Sequence, residues 1–480
     1  MSYKDYEIVI GLEVHCELKT ESKIFCGCTT QFGGDPNTHC CPICTGMPGT
    51  LPVLNGDVVE YAIRAGLATN CKISEYSKQD RKNYFYPDLP KAYQVSQYDL
   101  PLCYEGEVEI DLHEESKKIG ITRIHIEEDA GKLLHESGEG SLVDYNRCGV
   151  PLIEIVTEPD LRSPEEVGIF MQKLRSILLY SDVSDCKMNE GSLRCDVNLS
   201  VRKKGSKEFG TRTEMKNINS FNFAVKAAEY EAKRQIKAIE NGEAIIQETR
   251  RWDDAKGITI SMRSKEEAHD YRYFPEPDLM PIVTPKEKIE AIRQALPEMP
   301  DTRKKRYMEA YGLSTYDADL IVASRNMADY YEEAAKASKN PKAVANWIMT
   351  EIFSRMTEDQ KEEANIPFES GLLAELVNLI EQDIISNSIG KKVFNTMWET
   401  GKSPNEIVEE EGLKQISDDG PLIEMAKEVI EGNEKVVNDY LSGKEQAVQA
   451  LMGQMMKKTK GQANPKKVID ILKSLLNEMK

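Results

Sequence analysis

No stretch of about 18 or more apolar residues occurs in this 480-residue chain, which excludes a membrane-spanning helix. The opening Met1-Ser2-Tyr3-Lys4-Asp5 lacks the basic-then-apolar plan of a secretory signal, so the cytoplasm is the expected location. Neither a GxxxxGK[ST] nor a GxGxxG pattern is present, which disfavours a P-loop or a dinucleotide-binding fold. No fixed-period repeat or low-complexity tract appears. Positive charge is in short supply, with 62 Lys and Arg against 81 Asp and Glu, a net charge of −19. That balance argues against broad, non-specific nucleic-acid binding. The exception is local: Gly453 to Lys480 holds seven lysines against Asp470 and Glu478.

What is present begins with cysteine. Five of eleven cysteines lie between Cys26 and Cys44. Cys26-x-Cys28, then twelve residues, then Cys41-x-x-Cys44 is the spacing of a four-thiolate zinc knuckle, and Gly46 suits the tight turn after it. Such a site would be structural, with Cys40 a spare; a set of reduced thiols is the alternative.

Up to about Pro281 short strands alternate with turns and a few helices, so mixed α and β is expected. "SPEEVGIFMQKLRSILLY" reads as a helix with Ser163 as N-cap, and "NFAVKAAEYEAKRQIKAIENG" as a second one stopping near Gly242. Four prolines between Pro275 and Pro285 suggest a linker, and everything beyond reads helical. The expected division is 1–295, 296–405 and 406–480.

Several strands carry polar combs. In "YEIVIGLEVHCELKT" the alternation puts Ile8, Ile10, Leu12, Val14, Cys16 and Leu18 on one face and Glu13, His15 and Glu17 on the other. "GITRIHIEEDAGK" places Arg123, His125 and Glu127 in alternation, then Glu128 and Asp129; three adjacent acids repel, and a divalent cation would neutralise them. Glu154 lies inside the apolar run "VPLIEIV", where a carboxylate is costly unless paired or metal-bound. "GSLRCDVNLSV" aligns Arg194, Asp196, Asn198 and Ser200, and "TRTEMKNINSF" aligns Arg212, Glu214 and Lys216. The combs suggest one polar cavity between sheets. Acids that hold Mg²⁺ beside Arg and Lys that hold phosphoryl oxygens suit phosphoryl transfer, with Arg194, Arg212 and Lys216 as phosphate holders. "RKNYFYPDLPKAYQ" interleaves basic and aromatic residues that could grip phosphate and stack on bases; a loop packed on its own domain is the commoner meaning.

"IGLEVHCELKTESKIFCGC", "RKNYFYPDLPKAYQ", "RIHIEEDAGK", "SLVDYNRCGVPLIEIVTEPD", "GSLRCDVN", "DYRYFPEPDL" and "GQANP" together resemble the B-subunit family of tRNA-dependent aspartyl/glutamyl amidotransferases, collinearly over essentially the whole chain. The resemblance implies an α+β fold: a cradle of glutamine-synthetase-like topology, then an all-α helical domain and an all-α tail that hold tRNA. It implies an ATP-dependent carbon–nitrogen ligase that converts Glu-tRNA(Gln) to Gln-tRNA(Gln), and Asp-tRNA(Asn) to Asn-tRNA(Asn). The expected assembly is a heterotrimer in which two other chains, an amidase and a small third subunit, join this one. No Ser-Ser-Lys amidase signature occurs in this chain, so ammonia would come from the amidase. Carried over to this sequence, Glu13, His15, Glu128 and Glu154 are expected catalytic magnesium ligands, with Glu127, Asp129 and Asp196 as further ligands. Zinc on Cys26, Cys28, Cys41 and Cys44 is optional in that family. Lys457, Lys458, Lys460, Lys466 and Lys467 of the tail are the expected tRNA contacts. A free-standing ligase for a small amino acid and a non-catalytic RNA scaffold are the competing readings.

Overall fold

The computed structural model describes residues 5–112, 115–134, 140–264, 270–415, 419–459 and 461–479. They form two compact units, residues 1–299 and 300–480. The first is built on a nine-stranded sheet. Its strands are β1 (Tyr6–Glu17), β2 (Lys72–Ile73), β3 (Cys103–Leu112), β4 (Glu115–Glu128), β5 (Pro151–Thr157), β6 (Leu193–Lys203), β7 (Thr213–Ile218), β8 (Glu248–Asp253) and β9 (Ile258–Ser264). Their order across the sheet is β9-β8-β7-β6-β1-β5-β4-β3-β2. Neighbours run antiparallel except β7 and β8.

Period-two alternation gives this sheet two unlike faces. Ile10, Leu12, Val14 and Cys16 of β1, Ile153 and Ile155 of β5, and Cys195, Val197 and Leu199 of β6 are fully buried on one face. Three helices pack residues into that core: α1 (Gly56–Ala68), α2 (Pro164–Tyr180) and α3 (Phe221–Glu240). Each fully buried Phe170 or Leu174 contributes about 2–3 kcal/mol by leaving water. Gly66 lets α1 lie directly on β3, because a Cβ there would come within 2.5 Å of Cys103 Sγ. The N-caps are those the sequence signals. Ser163 Oγ accepts from the Glu166 N–H at 3.2 Å and Ser220 Oγ from the Phe223 N–H at 3.1 Å.

The proline-rich stretch is not a linker. Phe274–Pro275 pairs with Asp80–Arg81, and Ile282–Val283 pairs with Tyr76–Ser77, so it is stitched back into the first unit, which runs to residue 299. Proline tolerates such short edge pairings, where few N–H donors are needed. The polar combs also belong to one sheet, not to two facing sheets.

The second unit is helical and holds two separate apolar cores, one spanning Tyr307 to Val408 and one spanning Leu422 to Leu476. Two of its helices are Ser370–Glu381 and Asn387–Thr400. Asp383 takes φ +55°, and Ser386 caps the second helix. Among the described residues no helix is long and apolar enough to cross a membrane.

Candidate active site on the polar face of the sheet

Residues facing each other in an antiparallel ladder point to the same side, so register defines rows across the polar face. One row is Arg194–His15–Glu154–His125, from β6 through β1 and β5 to β4. The next is Asp196–Glu13–Val156–Arg123. Glu214 of β7 lies opposite Asn198, whose amide donates to Glu13 Oε1 at 3.0 Å.

Two sets of possible cation ligands result. In the first, ligand atoms of His15, Glu127 and Glu154 lie within 4.8 Å of one another. His125 Nε2 bridges this set, 3.3 Å from Glu154 Oε2 and 3.2 Å from Glu127 Oε1. Burial opposes charge on His125, Glu154 and Glu127, but mutual attraction wins. His125 is held up at about 9 by Glu154 and Glu127. Glu154 is brought down to about 2 by His125. Lys82 and His125 keep Glu127 well below the usual carboxylate range. Ser96 Oγ also donates to Glu127 Oε1 at 2.7 Å.

In the second set, ligand atoms of Glu13, Asp196 and Glu214 lie within 4.8 Å of one another. Burial, then the neighbouring Glu154 and Glu214, raises the Glu13 carboxyl, so this set carries charge it does not neutralise by itself. Lys216 Nζ offsets part of it, 2.8 Å from Asp196 and 3.0 Å from Glu214. Burial opposes the ammonium charge, and these two acids overcome that and raise its pKa. A cavity of about 290 Å³ opens beside Glu13, lined by Val156, Asn198, Ser200, Phe209 and Arg212 among others.

The three consecutive acids do not converge. Glu127 joins the His15 set, whereas Glu128 forms a two-oxygen pair with Lys91 Nζ, 2.6 Å to each, and accepts from the Val95 N–H at 2.9 Å. Asp129 pairs with Arg194, and Arg147 lies 3.7 Å away. Burial would raise the Asp129 carboxyl, yet these guanidinium groups bring it to about 2. Protein cations thus face all three acids, and Glu128 and Asp129 belong to neither ligand set. Arg194 and Lys216, expected to hold phosphate, are tied to Asp129 and Asp196, while Arg212 lines the cavity.

The "RKNYFYPDLPKAYQ" and "DYRYFPEPDL" segments meet beside this face. The Asn83 N–H donates to Tyr271 O at 3.0 Å, and Arg81 forks onto Glu276 through two 2.7 Å bonds. Tyr98 and Tyr273 stack at 4.4 Å. Lys82 lies 3.8 Å from Glu127 and over the Tyr271 ring. His125, Glu214 and Lys82 are not among the expected site residues. Alternation carries a signal for the first two, which sit in the same combs as Glu127 and Lys216.

The four cysteine sulfurs of Cys26, Cys28, Cys41 and Cys44 lie within 4.8 Å of one another. Cys41 and Cys44 sulfurs are 3.9 Å apart, and the Cys41 N–H donates to Cys44 Sγ at 3.1 Å. A tetrahedral zinc–thiolate centre with bonds of about 2.3 Å sets its sulfurs about 3.8 Å apart, so the donors fit that ion. Hydrogen bonding from Cys26, with Lys23 nearby, brings Cys44 down to about 5 against the effect of burial. Gly46 follows at φ +66°. Cys40 stands outside the four and donates to Asn37 O at 3.3 Å. In the tail, Lys457, Lys458, Lys466 and Lys467 are exposed. Lys458 pairs with Glu428, and Lys467 pairs with Asp419. Lys460 lies outside the described residues.

Known proteins place these features. The model of the GatB/GatE catalytic domain matches residues 8–290, which contain the whole polar face, and that of the GatB domain matches residues 329–476. The class is therefore an amidotransferase catalytic domain followed by a helical region, enzymes that form carbon–nitrogen bonds. The chain is 63% identical to the B subunit of the aspartyl/glutamyl-tRNA(Asn/Gln) amidotransferase of Caldicellulosiruptor saccharolyticus, over 99% of this chain and all of that one. The corresponding B subunits of Thermoanaerobacter sp. and Carboxydothermus hydrogenoformans are 61% and 56% identical, over 98% and 99% of this chain and all of each relative. The chain belongs to the B-subunit family of these amidotransferases.

Proposed function

We propose that this chain is the ATP-using, tRNA-handling subunit of a heterotrimeric ligase that amidates Glu-tRNA(Gln), and Asp-tRNA(Asn), with ammonia from a partner amidase. The observation that carries the reading is the meeting of two ligand sets on one polar sheet face inside the matched catalytic domain. A carboxylate is a poor electrophile because its leaving group would be oxide. One of its oxygens therefore attacks the terminal phosphorus of ATP, the bond to the bridging oxygen breaks, and ADP leaves. Ammonia then attacks the acyl carbon, phosphate departs with the carbonyl–oxygen bond, and the amide nitrogen sheds a proton.

Magnesium, held by Glu13, His15, Glu127, Glu154, Asp196 and Glu214, would supply charge neutralisation at the phosphoryl and carboxylate oxygens. Glu128 and Asp129, which lie outside both ligand sets, serve better as supports. Arg212 in the cavity is placed to meet phosphoryl oxygens, and His125 fixes Glu154 and Glu127. Zinc on Cys26, Cys28, Cys41 and Cys44 would brace the loop they sit on. We further read the first unit as the cradle of glutamine-synthetase-like topology, and the two helical cores as a helical and a tail domain that hold tRNA. The exposed lysines Lys457, Lys458, Lys466 and Lys467 support that role for the tail.

The test is transamidation by the reconstituted complex. With ATP and glutamine it should amidate Glu-tRNA, and Glu13→Ala should abolish tRNA-dependent ATP hydrolysis. Hydrolysis surviving in that variant would favour a scaffold, and amidation of free glutamate would favour a small-molecule ligase.

A further inference from the structure

We infer that Arg123 binds an oxyanion of the reacting substrates, the side-chain carboxylate of the esterified amino acid or the transferring phosphoryl group. This inference rests on the proposed function. Four other cations of the polar face are tied to protein acids, Arg194 to Asp129, Lys216 to Asp196 and Glu214, Lys91 to Glu128 and Lys82 to Glu127, whereas Arg212 lines the cavity beside Glu13. Arg123 has no hydrogen-bond or ion-pair partner among the described residues, and its Nε is sealed from solvent. The rest of this half-buried side chain has no protein acceptor, so its guanidinium is available to an anion that reaches the polar face.

Two features of the fold set its position beside the Glu13 set. A bulge falls between Val156 and Thr157, where Arg123 faces Val156 but Thr157 faces Ile121. Ile121 and Ile124 therefore both reach the core although they are three apart, and the strand is bent beside Arg123. Arg123 also lies in the row Asp196–Glu13–Val156–Arg123, which continues to Tyr104 of β3. Two strand spacings put its Cα about 10 Å from that of Glu13, with Val156 as an apolar tile between them. An anion above that tile meets the acid-borne cation site on one side and the guanidinium fork on the other. The fork matches two coplanar oxygens, as lysine cannot.

The experiment uses the reconstituted complex with Arg123→Ala and Arg123→Lys. The wild-type complex must first amidate Glu-tRNA; if it does not, the proposed function fails and the inference falls with it. Given an active wild type, Arg123→Ala should lower transamidation kcat/KM about 100-fold, and Arg123→Lys about 10-fold. Millimolar guanidinium should restore part of the alanine variant's rate, which a purely structural role would not permit. A fall in kcat with an unchanged KM for ATP identifies the carboxylate as the ligand; a raised KM for ATP identifies the phosphoryl group. Arg123→Lys retains charge and stem, so it decides the matter if the alanine variant does not fold. Rates within twofold of wild type for the lysine variant, or for a folded alanine variant, would overturn the inference while leaving the proposed function standing.

Discussion

The cysteine cluster and the carboxylate face are both donor sets in the first unit, but they are assembled in opposite ways. Four sulfurs come from one loop of 19 residues, Cys26 to Cys44, whose turns are set locally by Gly46 and the Cys41 N–H. The carboxylate face draws on Glu13, His15, Glu127, Glu154, Asp196 and Glu214, carried by five strands from across the sheet. A local cluster can form before its domain does, whereas a dispersed one exists only after the sheet has closed around it. The first is suited to holding a shape and the second to reporting that the whole fold is correct.

That contrast can be broken. Glu154→Gln keeps the volume but removes the charge that His15 and His125 face. Activity of the assembled complex should fall by about two orders of magnitude or more, with zinc content unchanged. Loss of zinc from that variant would mean the two sets are not independent.

Cys41→Ser with Cys44→Ser should do the reverse. One zinc per chain should disappear by metal analysis, and Tm of the first unit should drop by roughly 5–10 °C. Activity should decline less than in the Glu154 variant. A wild-type protein without zinc would remove one side of the comparison.

An ion pair of the helical unit gives the scale for charges that serve structure alone. Glu332 lies 2.7 Å from both Arg306 and Lys336. Burial opposes its charge, but these partners bring its carboxyl to about 2 from an ordinary 4.5. Because the folded value is the lower one, the stabilisation is complete above about pH 4.5 and is lost as pH falls toward 2. Glu332→Gln should lower Tm by a few degrees at pH 7, and the difference from wild type should vanish near pH 2. A constant difference across that range would assign the effect to packing.

Legibility follows the same divide. Cysteine spacing, the Glu13/His15 comb and the oddity of Glu154 in an apolar run are local facts, visible in alternation alone. The pairing of Glu13 with Asp196 and Glu214 depends on register between strands nearly 200 residues apart, which no local pattern encodes. The run Glu127-Glu128-Asp129 misleads for a physical reason. Adjacency suggests one shared cation, but successive residues diverge at a strand end, and Lys91 and Arg194 reach in from distant segments to pair with two of them. The proline-rich stretch deceives in a similar way, since its strand partners lie near Tyr76 and Asp80.

The position of β1 has a consequence for synthesis. The strand made earliest lies in the middle of the sheet, and its two neighbours begin only at Pro151 and Leu193. At about 5–20 residues per second a ribosome needs on the order of ten to thirty seconds to supply the nearer one. For that interval Tyr6–Glu17 is a nascent segment with two bare edges and one greasy side. A slower supply of the chain between β1 and β5 would lengthen that interval without altering the finished protein.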